Sequence, residues 1–293
     1  MYESNNMFKS VRLRWSCGAD KEEREMTTDQ LAGATATGDR PDTDPTANRI
    51  ARLACAWSGI ACTVLFAIGF VAFARFLPFP SPGLPAEQVA ANLAEHRIGI
   101  RIGVIFMIIG FGLFATFATG VALELRRTDG RHPALTYVQL VCAGASAAIL
   151  ALSPMFFAIM VYRAGDIPAY ITQALYDIAW FCFVMPYPVF SLLLLAQGGA
   201  ILRDRAVPVV FPRWAGYLCF STAAALFPTG LIIFFKDGPL AWNGIIGLGI
   251  PMIFFFSWIM TLSYYLIRHV TRDTRVAAQP ASPPARRRNS ENP

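Results

Sequence analysis

Six stretches of this chain carry no Asp, Glu, Lys, Arg or His: Leu53 to Ala74, Ile102 to Leu123, Pro133 to Tyr162, Ile178 to Leu202, Trp214 to Phe235 and Gly238 to Ile267. A bilayer core about 30 Å thick is crossed by roughly 20 apolar residues in a helix, and each stretch is long enough. Inside hydrocarbon the backbone must satisfy its own hydrogen bonds, which leaves the helix as the conformation for apolar runs of this kind. The expected class is therefore all-α, a polytopic transmembrane bundle of six spans. Composition agrees: of 293 residues 55% are hydrophobic and 15% charged, against about 25% charged in an average soluble domain.

Basic residues set the expected orientation, because Lys and Arg in short loops are retained on the cytoplasmic side. With the N-terminus inside, the inner segments hold Arg49, Arg52, Arg126, Arg127, Arg131, Arg203, Arg205, Arg213, Arg268, Arg272 and Arg275. The outer loops hold only Arg75, Arg97, Arg101, Arg163 and Lys236. Both termini are thus expected in the cytoplasm, with the protein in the inner (plasma) membrane. The net charge of +6 then meets anionic lipid head groups, and nucleic acid is not implied.

The chain divides into three regions. Residues 1–48 are polar and aperiodic and read as a disordered cytoplasmic tail. Residues 49–268 form the transmembrane domain, and 269–293 form a basic tail rich in Pro, Ala and Ser. No short apolar stretch with a small-residue cleavage site precedes the first span, so no signal peptide is read. Met26-Thr-Thr-Asp29, preceded by Lys21-Glu-Glu, has the look of a natural translation start.

Along the chain, breakers crowd towards one side of the membrane. Phe76 to Pro85 holds four prolines and must be extended or turned. From Pro85, Val89, Leu93 and His96 fall at helical spacing on a short surface helix. Pro154, Pro186, Pro188, Pro228 and the run Leu240 to Pro251 interrupt the outer halves of spans three to six. Gly99 and Gly103 form a small-xxx-small step that permits close approach at the start of span two. Glu124, beside Arg126 and Arg127, reads as an interfacial carboxylate near water. The breaks of the two halves do not correspond, which weakens an inverted-repeat transporter reading.

The motifs Trp57-Ser-Gly59, Phe211-Pro-Arg-Trp-Ala-Gly-Tyr217, Phe234-Phe-Lys-Asp-Gly-Pro239 and Ala241-Trp-Asn-Gly244 resemble those of a family of six-span membrane proteins from mycobacteria and related actinobacteria. The resemblance covers about residues 50–268. It implies a bacterial inner membrane, and the family has no established activity to carry over.

Within the spans the chemically conspicuous group is Asp177, in an otherwise apolar run. A carboxylate at membrane depth costs roughly 2.5–3.5 kcal/mol on insertion scales, so it faces protein or water. Gln173, Asp177 and Trp180 lie at i, i+4 and i+7 on one face of span four, with Tyr176 beside them. Arg101, Thr229, Trp242 and Asn243 are the candidate facing groups at similar depth. Asp177 lies roughly 10 Å along span four and Arg101 roughly 5 Å along span two, so the two can meet if the spans are neighbours. Either the set lines a wet cavity for a small amphiphile or lipid head group, or Asp177 and Arg101 form a structural ion pair. A third reading leaves Arg101 snorkelling to the head groups.

The standard catalytic constellations are missing. The three histidines are His96, His132 and His269, and no pair of them can ligate a haem within the bundle. The six cysteines include no Cys-x-x-Cys, and those in the spans read as small buried hydrophobes. No phosphate loop, nucleophile elbow or zinc-protease motif occurs, so neither cofactor nor metal is implied. The favoured class is a non-enzymatic protein that binds or passes a small hydrophobic or lipid-like ligand in an outer-facing cavity. The alternatives are a structural or accessory subunit of another membrane protein, and an enzyme using Asp177. The last is disfavoured because no second carboxylate, histidine or metal set stands near to share a proton.

The topology has a direct test. Single cysteines placed within residues 76–97, 163–169 and 236–239 are expected to react with an impermeant maleimide in intact cells. Protection at all three loops would contradict the orientation.

Overall fold

The computed structural model describes residues 45–126, 133–205 and 209–277. The chain forms two units, Met1–Asn48 and Arg49–Pro293. The first is described only from Pro45, where a helix begins, and the second holds the bundle. The expected start at Met26, most of the N-terminal tail and the basic end after Ala277 lie outside the described residues.

Six helices are long and apolar enough to cross a membrane: span one Thr46–Phe73, span two Arg97–Leu125, span three Ala134–Tyr162, span four Ala169–Arg203, span five Arg213–Phe234 and span six Ile245–Arg272. The bundle is all-helical. Alternation along the chain puts the 74–96, 163–168 and 235–244 connections at one end, here called distal, and residues 49, 126 and 272 at the other, proximal. Span two packs on span three, span three on both halves of span four, and span four on span five, which packs on span six. Spans four and six also reach span two, closing the bundle.

Glycine sets the tightest contact. Span one widens into a π turn at Ile68–Phe73, and there Gly69 faces Gly103 of span two. A Cβ on Gly103 would stand 2.5 Å from the Gly69 carbonyl oxygen, and one on Gly69 would stand 2.6 Å from that of Gly103. Without a hydrophobic driving force between helices in lipid, such backbone approach is a main source of packing energy. Side-chain hydrogen bonds add to it: Gln139 donates to the Ala118 carbonyl at 3.1 Å, and Trp258 donates to Gln197 at 3.0 Å.

The helix breaks lie towards the distal end in spans one, five and six and midway along span four. Span four stops at Val184 and restarts at Tyr187, across Pro186. Span five passes from α-helix to a 3-10 turn at Phe227–Phe234, with Pro228 near its start. Span six opens with a π turn, Ile245–Gly249, before the α-helix from Ile250. Pro154, by contrast, lies inside a continuous helix, Ala134–Tyr162.

Three sequence expectations change in detail. Trp242 and Asn243, placed within span six, lie instead in a turn ahead of it. The N–H groups of Ile246 and Gly247 both donate to the Pro239 carbonyl, at 2.9 and 3.0 Å, and this folds 239–247 back on itself. Span six continues as helix to Ala277, past the expected boundary at 268, because no Gly or Pro follows until Pro280. Glu124 is buried, 4% exposed, rather than wet: Arg52 of span one binds it at 2.7 Å, and His269 of span six stands 3.6 Å away.

Gly103→Leu is expected to destabilise the protein by at least about 1–3 kcal/mol, since neither backbone can yield. Gly144→Ala, where an added Cβ meets nothing within 4 Å, should be neutral or stabilising by up to about 1 kcal/mol. Thermal unfolding of both variants in one detergent checks the contrast.

Candidate functional site

The chain leaves span one through Arg75, whose φ of 53° lies in the left-handed region. The Ala74 and Phe76 N–H groups bond back to Gly69 and Phe70, at 2.9 and 3.0 Å, so Arg75 stands where a helix end commonly carries glycine. That conformation costs a side-chain-bearing residue about 1–2 kcal/mol. The prolines that follow have no N–H, and the segment pairs with itself only at Ser81, which accepts from the Leu84 and Gly83 N–H groups at 3.4 and 3.2 Å. Two of its carbonyls are instead fastened by side chains from other spans: Trp242 donates to Pro80 at 3.0 Å, and Gln173 donates to Leu84 at 3.1 Å. The short helix Ala86–Glu95 then buries Val89 and Leu93 beneath this strap. Pro85 precedes that helix as its cap rather than opening it.

Strap, short helix and Tyr176 line a half-open distal pocket of about 240 Å³. Its polar side chains are Arg75, Asn92, His96 and Tyr176, and among the described residues no acidic one contributes. Such a lining favours a ligand with an anionic or strongly accepting end.

Below the pocket lies a layer of rings. Trp180, wholly buried, stacks on Trp242 at 6.1 Å. It meets Phe76 at 5.8 Å and Tyr176 at 6.2 Å on the pocket side, and Phe70 and Phe183 at 6.2 Å on the other. Beyond this layer a central cavity of about 70 Å³ is walled by residues of all six spans, among them Phe66, Phe114, Phe183, Phe255 and Thr229. It sits where the breaks are, since Tyr187, Leu248 and Pro251 also line it.

The residues singled out from the sequence are distributed over this arrangement. Tyr176 lines the distal pocket, Thr229 lines the central cavity, and Trp180 stands between them. Gln173 and Trp242 hold the strap. Arg101 donates to the Val161 carbonyl at 2.8 Å, an orphan group at the C-terminus of span three, and so ties span two to span three. Asp177 is half-buried, makes no hydrogen bond or ion pair with a described residue, and has Lys236 as the cation acting on it. It lines neither cavity. Asn243 keeps its Oδ1 buried and unpartnered, and so does Trp180 its indole N–H. The Tyr176 hydroxyl is near Trp180 but outside hydrogen-bonding geometry. An orphan donor of this kind costs about 1–3 kcal/mol until a ligand or water meets it.

Sequence reasoning missed Arg75, Asn92 and His96 as pocket residues, and the dense prolines between Arg75 and Asn92 were the available signal. Among the described residues no group of three His, Cys, Asp or Glu could hold a metal ion. No family model matches the chain, and no curated protein or solved structure matches it.

Arg101→Gln and Asp177→Asn are expected to act additively on stability, within about 0.5 kcal/mol, because they share no partner. A double-mutant cycle by thermal unfolding measures this, and a large coupling energy would restore the ion pair. Trp242→Phe keeps the ring and removes one hydrogen bond, so it should cost about 1 kcal/mol and raise hydrogen exchange across residues 76–85.

Proposed function

We propose that this protein binds a small acidic amphiphile from the bilayer, with its head group in the distal pocket and its tail directed through the ring layer into the central cavity. One observation carries the reading: a pocket with cationic and amide side chains and a mainly aromatic and aliphatic chamber are separated by little more than Trp180 and its ring neighbours. The apolar chamber suits a short alkyl segment, and Arg75 and His96 suit a carboxylate or similar head. In this reading the distal end faces outward, as the distribution of basic residues favours, and both termini are cytoplasmic. The membrane is the inner membrane of a bacterium, of the actinobacterial kind whose motifs the chain resembles.

The arrangement supports binding or passage rather than catalysis. Asp177 has no carboxylate or histidine paired with it among the described residues, and it lies outside both cavities. Arg75 offers a clean separation of binding from stability. Replacing it with glycine suits the left-handed backbone and removes the charge.

Retention of radiolabelled decanoate by the purified protein is the test. Arg75→Gly is expected to bind at least about tenfold more weakly, the equivalent of one charge-assisted hydrogen bond, with unchanged or higher thermal stability. Absence of saturable binding by the unaltered protein, or equal binding by the variant, would refute the reading.

A further inference from the structure

At the proximal end, between the entry to span five and the end of span six, lies a cavity of about 190 Å³. One wall is apolar, formed by Val209, Val210 and Pro212. The other carries Tyr265, Arg268 and Arg272, spaced i, i+3 and i+7 on one helix face. His269 also borders it but leans towards Glu124, 3.6 Å away, so the two arginines are the cations of the site. Neither makes a hydrogen bond or ion pair with a described residue, and no described acidic residue lines the cavity. Two guanidinium groups four residues apart repel each other, and an anion held between them removes that cost.

We infer that this cavity binds a phosphate group presented by an anionic lipid head group. Guanidinium forks match phosphate oxygens in bidentate fashion, which an ammonium would not. The first turn of the helix that opens at Arg213 borders the cavity through its cap residue Pro212, adding the positive end of a helix dipole. The apolar wall fits the glycerol and ester part of a lipid better than a free hydrated ion. Depth agrees as well. Trp214 packs edge-on against Tyr265 at 5.9 Å, and exposed Trp214 and Tyr217 are the side chains that mark a membrane interface. This site is separate from the distal pocket, and neither depends on the other.

The protein purified in maltoside is titrated with dioleoylphosphatidylglycerol, dioleoylphosphatidylcholine or sodium phosphate, and followed by native mass spectrometry. The expected result is one retained phosphatidylglycerol, bound at least tenfold more tightly than phosphatidylcholine, with the preference lost in the Arg268→Gln/Arg272→Gln double variant. A control, Arg126→Gln/Arg203→Gln, removes as much charge from the same end without touching the cavity lining and should keep most of the preference. Persistence of the preference in the first variant, or its equal loss in the control, would overturn the site. Binding of inorganic phosphate without any lipid preference would overturn the lipid head group as its source.

Discussion

A backbone amide in hydrocarbon must find its partner inside the protein, and this constraint governs where the chain can depart from regular helix. Spans one, five and six depart from it in their distal halves, and span four at its middle. Each departure is satisfied locally, by the π turns of spans one and six, the restart after Pro186 and the 3-10 turn after Pro228. The breaks of spans four, five and six border the central cavity through Tyr187, Thr229, Leu248 and Pro251. The proline strap obeys the same rule at the interface, where side-chain donors from span four and from the turn ahead of span six take up its carbonyls.

The two ends of the bundle differ in how they use charge. At the proximal end Glu124 is enclosed with Arg52 and His269, joining spans one, two and six through a buried ionic contact whose loss would strand a charge. At the distal end Arg101 reaches the backbone of Val161, and Arg75 is held at a pocket mouth in a conformation its side chain disfavours. On the proposed reading, Arg75 is the distal charge that the head group of an amphiphile meets.

The six spans, the short helix and the crowding of breakers were legible in the sequence, because charge-free length and proline position act locally. The partners of individual polar residues were not. Asp177 stood out because a lone carboxylate in an apolar run is conspicuous, yet its surroundings depend on which way span four is rotated, and no period in that run fixes the rotation. Gln173 and Trp242 shared its depth and were grouped with it. Their true acceptors are main-chain carbonyls of the strap, which are invisible to any pattern of side chains. Arg75, Asn92 and His96 were read as loop and surface residues, since a pocket formed by a loop folding over a helix end leaves no periodic trace.

Binding of an amphiphile requires that the distal pocket and the central cavity accept one molecule between them. The most direct measurement is a cryo-electron microscopy map of the protein in nanodiscs saturated with dodecanoate. The expected result is elongated density with its head within hydrogen-bonding reach of Arg75 or His96 and its tail passing Trp180 towards Phe114 and Phe255. Density confined to the lipid-facing surface, with the Trp180 layer closed and both compartments free of ligand, would contradict it.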